Sequence, residues 1–184
     1  MTGRDRELVA TPSQTVGPFF DFGLTRPNAA LGTMAGADTP GTSIRLRVRV
    51  YDGAGDAVPD AVVELWQADA SGAYPGVAGF PGWGRLGTGE DGTCEFQTIR
   101  PGRVATGGGR LAAAHIDVCL FARGQLRHVF TRIYFAGDPA LADDPVLAMV
   151  PVERRETLLA RADSDTWVFD LRLQGDRETV FFDL

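Results

Sequence analysis

Ile44-Arg45-Leu46-Arg47-Val48-Arg49-Val50-Tyr51 places an apolar side chain at every even position and arginine at 45, 47 and 49. Successive side chains of an extended backbone point to opposite faces, so this alternation makes one apolar and one charged face. That is the pattern of a half-buried β-strand. Asp52-Gly53-Ala54-Gly55 then supplies turn chemistry. Working outward, Ala61–Gln67 is a more apolar strand, and Thr93–Ile99 follows the Asp91-Gly92 turn. Ile116–Ala122 and Val129–Phe135 flank Arg123-Gly124-Gln125, which reads as a hairpin or bulged turn. Trp167–Leu173 and Thr179–Leu184 complete seven short strands. Short strands separated by turn residues predict an all-β sandwich or barrel.

The rest of the chain is organised around those strands. Pro151–Ala162 has the composition of one short helix, with proline at its start and paired charges at helical spacing. The Gly/Pro-rich stretches Tyr74–Gly84 and Pro101–Gly109 read as loops. Residues 1–42 hold little periodic pattern and read as an extended N-terminal arm on a single domain whose core spans 43–184.

Composition removes several kinds of chemistry. All 18 basic residues among the 184 are arginine, which leaves no lysine for a Schiff base or a phosphate-binding P-loop. A net charge of −6 argues against a nucleic-acid partner. No apolar run approaches membrane-spanning length, and the charged start Met1-Thr-Gly-Arg-Asp-Arg-Glu7 lacks the apolar stretch of a secretory signal, so a cytoplasmic protein is expected. Cys94 and Cys119 lie in apolar strands and read as buried free thiols. None of Ser13, Ser43, Ser71 and Ser164 sits in a nucleophile elbow. Glu64, enclosed by apolar neighbours, reads as half-buried, which calls for a partner such as an arginine or a ring of backbone donors and a structural rather than catalytic role.

His115-Ile116-Asp117 puts an imidazole and a carboxylate on one strand face. With His128 on the neighbouring strand they could form a two-histidine, one-carboxylate iron site. The alternative is a His115–Asp117 pair hydrogen-bonded within the fold. The residue pattern leaves both open.

Several stretches, in order along nearly the whole chain, add a resemblance. They are Thr11-Pro-Ser-Gln-Thr-Val-Gly-Pro-Phe19, Glu64-Leu-Trp-Gln-Ala-Asp-Ala-Ser-Gly-Ala-Tyr74, Phe96-Gln-Thr-Ile-Arg-Pro-Gly102, Ala114-His-Ile-Asp117, Leu120-Phe-Ala-Arg-Gly124, Thr131-Arg-Ile-Tyr-Phe135 and Gln174–Asp183. Together they resemble the intradiol ring-cleaving dioxygenases. The resemblance implies a β-sandwich core and pairing with a homologous beta chain in a hetero-oligomer. It also implies Fe(III) held by two tyrosines and two histidines in the catalytic chain. Of those four positions only His115 is matched here. Asp117 stands at the second histidine, Arg103 and Val104 follow Pro101-Gly102 where one tyrosine belongs, and the loop after Tyr74 holds no further tyrosine. The resemblance therefore implies that the iron belongs to the beta chain and that the isolated chain is inactive. It further implies that Thr15, Val16, Gly17, Pro18 and Arg123 border the partner's substrate pocket. The reaction implied is cleavage of 3,4-dihydroxybenzoate by O2.

Overall fold

The computed structural model describes residues 10–17, 19–25, 29–74 and 80–183. Eight strands form it: β1 (Ser43–Tyr51), β2 (Val62–Gln67), β3 (Trp83–Gly87), β4 (Thr93–Ile99), β5 (His115–Phe121), β6 (Val129–Phe135), β7 (Leu159–Asp163) and β8 (Thr166–Arg172). Their order in the sheet is β3-β2-β5-β6-β7-β8-β1-β4. The β1–β8 and β6–β7 pairs are parallel, and the other neighbours are antiparallel. The all-β expectation holds. Pro18 lies outside the described residues.

The alternation in β1 works as the sequence implies. Leu46, Val48 and Val50 are fully buried, and their arginine neighbours pair along the other face. Arg47 bonds Glu95, Arg49 bonds Asp170, and Arg45 pairs with Asp165. Behind that face the core joins both halves of the sheet. Val63, Leu65, Ile116, Val118, Leu120, Ile133 and Phe135 meet Phe96, Phe169 and Leu171 from the β8-β1-β4 side. Burying a large aliphatic or aromatic side chain stabilises a fold by about 1.5–3 kcal/mol, so this shared core is what holds the two halves face to face.

Three elements differ from the sequence reading. Trp83–Gly87, partly inside the supposed Tyr74–Gly84 loop, is the edge strand β3, paired with β2. The helix expected over 151–162 is a 3-10 helix over Val152–Leu158, after which the chain becomes β7. Buried Leu158 and Ala160 account for the switch, because β7 bridges β6 to β8 and joins the two halves of the sheet. The strand expected over 179–184 is only a bridge, Phe182 to Phe130. There the tail alternates partners: Thr179 N–H bonds the Arg172 carbonyl and Phe182 N–H bonds that of Phe130.

The arm is not uniformly extended. Phe20–Leu24 is an α-helical turn and Ala29–Gly32 a 3-10 turn. Met34 is buried, and its N–H bonds the Gln97 carbonyl. Among the described residues, no helix is long and apolar enough to cross a membrane.

Candidate functional site on the outer sheet face

Strand register assembles the site. Odd positions of β5 and even positions of β2 and β6 point away from the core, so Trp66, Asp117 and Arg132 form one row across three strands. Glu64, Cys119 and Phe130 form the next row, and His115 lies opposite Tyr134. Glu64 finds its partner on β3, where Arg85 Nε donates to it at 2.7 Å. Over these rows lies a cavity of about 660 Å³, walled by Trp66, Trp83, Phe130 and Met149 and floored by Asp117 and Arg132.

A small polar cluster occupies the His115 end. Arg132 Nε donates to Asp117 Oδ1 at 2.7 Å. His115 is 2% exposed, and its Nδ1 lies 2.7 Å from the Ala113 carbonyl. A carbonyl only accepts, so Nδ1 carries the proton and Nε2 presents its lone pair. The Tyr74 hydroxyl lies 3.4 Å from that nitrogen and 3.3 Å from Asp117 Oδ2, with its ring stacked on Trp66. Tyr74 is placed by the preceding turn, where Asp69 Oδ1 accepts from the N–H groups of Ser71 and Ala73.

Each group's ionisation follows from its surroundings. Burial, and then the Arg132 charge, lower the pKa of His115, so it stays neutral. Burial and the nearby Asp117 charge push Tyr74 up to about 12, which keeps it a phenol. Burial opposes the Arg132 charge, but Asp117 and Tyr134 outweigh it and hold the guanidinium above its ordinary value.

This donor set does not fit a ferric ion. Fe(III) is stabilised by hard anionic donors, and the tyrosine hydroxyls nearby are engaged elsewhere, Tyr74 between His115 and Asp117 and Tyr134 with Asp144. The one carboxylate is already neutralised by Arg132, whose fixed positive charge would repel a trivalent cation. Among the described residues, no group of three or more His, Cys, Asp or Glu side chains is placed to share a metal. The His115, Asp117 and His128 site is not assembled either. His128 lies past the start of β6, its ring against Phe121 and Phe130. That is six strand residues from His115, about 20 Å along the sheet.

The arm and hairpin residues meet at the opposite end of β5. Gly124 N–H donates to Thr15 Oγ1 at 2.8 Å, tying the arm to the β5–β6 turn. Val16, half exposed, joins Gln14, Leu126 and His128 around a smaller cavity of about 160 Å³. Gly17 adopts a left-handed backbone with φ +73°, and open space surrounds the position a Cβ would take. Arg123 extends from the same turn, its nearest carboxylate Asp60 at 3.9 Å. Thr15, Val16, Gly17 and Arg123 therefore share one end of the molecule, away from His115.

Arg132 and Tyr74 went unmarked as site residues in the sequence reading. The hairpin register could have found Arg132, because a turn centred on Arg123–Gln125 sets it opposite Asp117.

A fold of this kind, with this face on β5, defines a class. A family model described as dioxygenase matches residues 16–175, and the chain belongs to that family, the intradiol dioxygenases. The particular resemblance is to one branch. The chain is 41% identical to the protocatechuate 3,4-dioxygenase alpha chain of Burkholderia cepacia, across 96% of this chain and 98% of that one. It is 31% identical to the beta chain of the same enzyme from that organism, across 94% of this chain and 79% of the other. Among solved structures, the dioxygenase domain of a carbohydrate-binding fusion protein from Streptomyces sp. SirexAA-E superposes with a TM-score of 0.62 at 28% identity, covering 90% of this chain and 98% of that one.

Proposed function

We propose that this chain is the alpha-type subunit of a protocatechuate 3,4-dioxygenase, a cytoplasmic hetero-oligomer whose catalytic Fe(III) is held by a homologous beta chain. In the assembled enzyme both atoms of O2 enter 3,4-dihydroxybenzoate between the two hydroxyl-bearing carbons, giving 3-carboxy-cis,cis-muconate. The observation that carries this reading is the Arg132–Asp117 pair at 2.7 Å, which sets a fixed internal cation against Asp117, the position at which the family resemblance implies a histidine ligand in the catalytic chain. Similarity to alpha chains over nearly the full length supports it. Two free thiols, Cys94 and Cys119, suit a reducing compartment.

This chain's part is to bind, orient and enclose. Thr15, Val16, Gly17 and Pro18 border the partner's pocket. The open backbone around Gly17 lets an N–H approach the substrate carboxylate closely. The guanidinium of Arg123, half exposed and loosely paired in the free chain, offers that carboxylate a planar charged fork. Both groups also exclude water from the reacting ring.

Steady-state kinetics of the complex reassembled with Arg123→Ala or Gly17→Val test the reading. Weakened substrate binding is expected, with KM raised by about tenfold or more for loss of a charge-assisted contact. Unchanged KM and kcat in both variants would reduce the chain to a scaffold.

A further inference from the structure

Thr15 lies 109 residues before Gly124, yet its Oγ1 accepts the Gly124 N–H at 2.8 Å. Gly124 turns there in a left-handed backbone with φ +87°, which glycine adopts without steric cost. The bond is exposed, and one exposed hydrogen bond is too weak to hold a free arm against its conformational entropy. A second contact lies further along the arm. The Phe20 ring packs on Phe121, the last residue of β5, with centroids 6.5 Å apart and planes tilted by 50°. Phe121 packs in turn on His128, whose ring meets Phe130 edge-on. The arm is therefore pinned on both sides of residues 16–19 to the same end of β5. Either pin shortens the loop that the other must close, so each raises the effective concentration of the other.

The Thr15 hydroxyl is committed to this bond, so its part differs from that of a substrate contact. Gly17 stands two residues from one end of the bond, and Arg123 one residue from the other. Those are the two groups set against the substrate carboxylate in the proposed function. They belong to segments distant in sequence, and without the bond each would have to be ordered separately when substrate enters, which weakens binding. With it, arm and turn move as one piece. Gly17, at φ +73°, turns the chain between the two pins.

We infer that Thr15 is a positioning residue: its hydroxyl latches the arm to the β5–β6 turn, so that the Gly17 N–H and the Arg123 guanidinium reach the partner's pocket as one preset carboxylate-binding unit. This rests on the proposed function of the arm and turn. The latch improves binding of a carboxylate-bearing substrate without touching the reacting ring, so it acts on KM and leaves kcat.

Thr15→Val keeps the side-chain shape and removes the acceptor, while Thr15→Ser keeps the acceptor. Position 15 is exposed, so both variants are expected to keep the Tm of the chain. Hydrogen exchange at the Gly124 amide, followed by NMR on the full chain alone, is expected to quicken about fivefold or more in Thr15→Val and to match the wild type in Thr15→Ser. In the reassembled enzyme, Thr15→Val is expected to raise KM for 3,4-dihydroxybenzoate about fivefold with kcat little changed, and Thr15→Ser to restore it. Competitive inhibition by 4-hydroxybenzoate should weaken by the same factor in Thr15→Val, and inhibition by phenol, which lacks the carboxylate, should not. Unchanged Gly124 exchange, or a serine variant as impaired as the valine one, overturns the latch. A raised KM without faster Gly124 exchange overturns positioning in favour of direct contact between the hydroxyl and substrate. Equal weakening of both inhibitors overturns the carboxylate role. Arg123→Ala and Gly17→Val without effect on KM overturn the proposed function and the positioning role that rests on it, while Gly124 exchange reads the latch separately.

Discussion

Replacing Arg132 by methionine removes the internal cation while keeping most of the side-chain bulk. The lost contact is a charge-assisted hydrogen bond of 2.7 Å between side chains 20% and 34% exposed. Such a bond stabilises by about 1.5–3 kcal/mol when well shielded, and the partial exposure of Asp117 reduces this to about 1–2 kcal/mol. For a domain of this size that corresponds to a Tm lower by about 3–6 °C near pH 7.5. The pH dependence carries a second, sharper signature. His115 is held below its ordinary pKa by burial and by Arg132. In the wild type, the unfolded chain therefore takes up a proton before the folded chain does as pH falls. Stability is present above the unfolded value of about 6.5 and is lost as pH drops below it. Without Arg132 the depression of His115 is smaller, so the acid loss is smaller. The Tm deficit of the variant should shrink between pH 7.5 and 5.5 in thermal unfolding followed by circular dichroism. A deficit that is absent at pH 7.5, or that widens with acid, would refute the assignment of Arg132 as the charge that governs this pocket.

Asp144→Ala tests the buried support beneath the site. Asp144 is fully buried and accepts from the Tyr134 hydroxyl and from the N–H groups of Ala113, Val146 and Leu147. Stranding those donors should cost about 3–5 kcal/mol, seen as a Tm fall of about 10 °C. Gly72→Ala tests how Tyr74 is placed. A Cβ at Gly72, where φ is +87°, would meet the Arg103 carbonyl oxygen at 2.0 Å, whereas one at Gly55, with φ +88°, meets nothing within 4 Å. Gly55→Ala should cost about 1 kcal/mol for backbone strain alone, and Gly72→Ala about 3 kcal/mol or more by denaturant titration.

How far the chain could be read from sequence depended on what determines each element. β1 was legible because its two faces meet different surroundings, so Arg45, Arg47 and Arg49 stand out against Leu46, Val48 and Val50. β3 was not, because Trp83-Gly-Arg-Leu-Gly87 carries two glycines and follows a Gly/Pro-rich stretch; it is a strand because β2 offers it an edge. β7 likewise owes its conformation to neighbours on both sides rather than to the propensity of Leu159-Ala-Arg-Ala-Asp163. Thr179–Asp183 shows the converse, since its apolar, strand-like composition yields a single bridge. At the site, Asp117 stands where the family resemblance implies a histidine ligand, and that much is legible in the sequence. The charge that neutralises it is not, because Arg132 becomes its neighbour only through cross-strand register. The separation of His128 from His115 is a matter of the same register, which a list of metal-binding residue types does not convey.

The iron content of the separated chains tests most directly whether this chain holds the metal. Each chain is purified alone, offered iron under identical conditions, freed of excess and analysed for bound metal, alongside the co-expressed complex. The expected result is stoichiometric iron in the complex and in the beta chain, with none retained by this chain. Stoichiometric iron bound to this chain in the absence of its partner would contradict the assignment of Arg132 as the resident cation and of the chemistry to the partner.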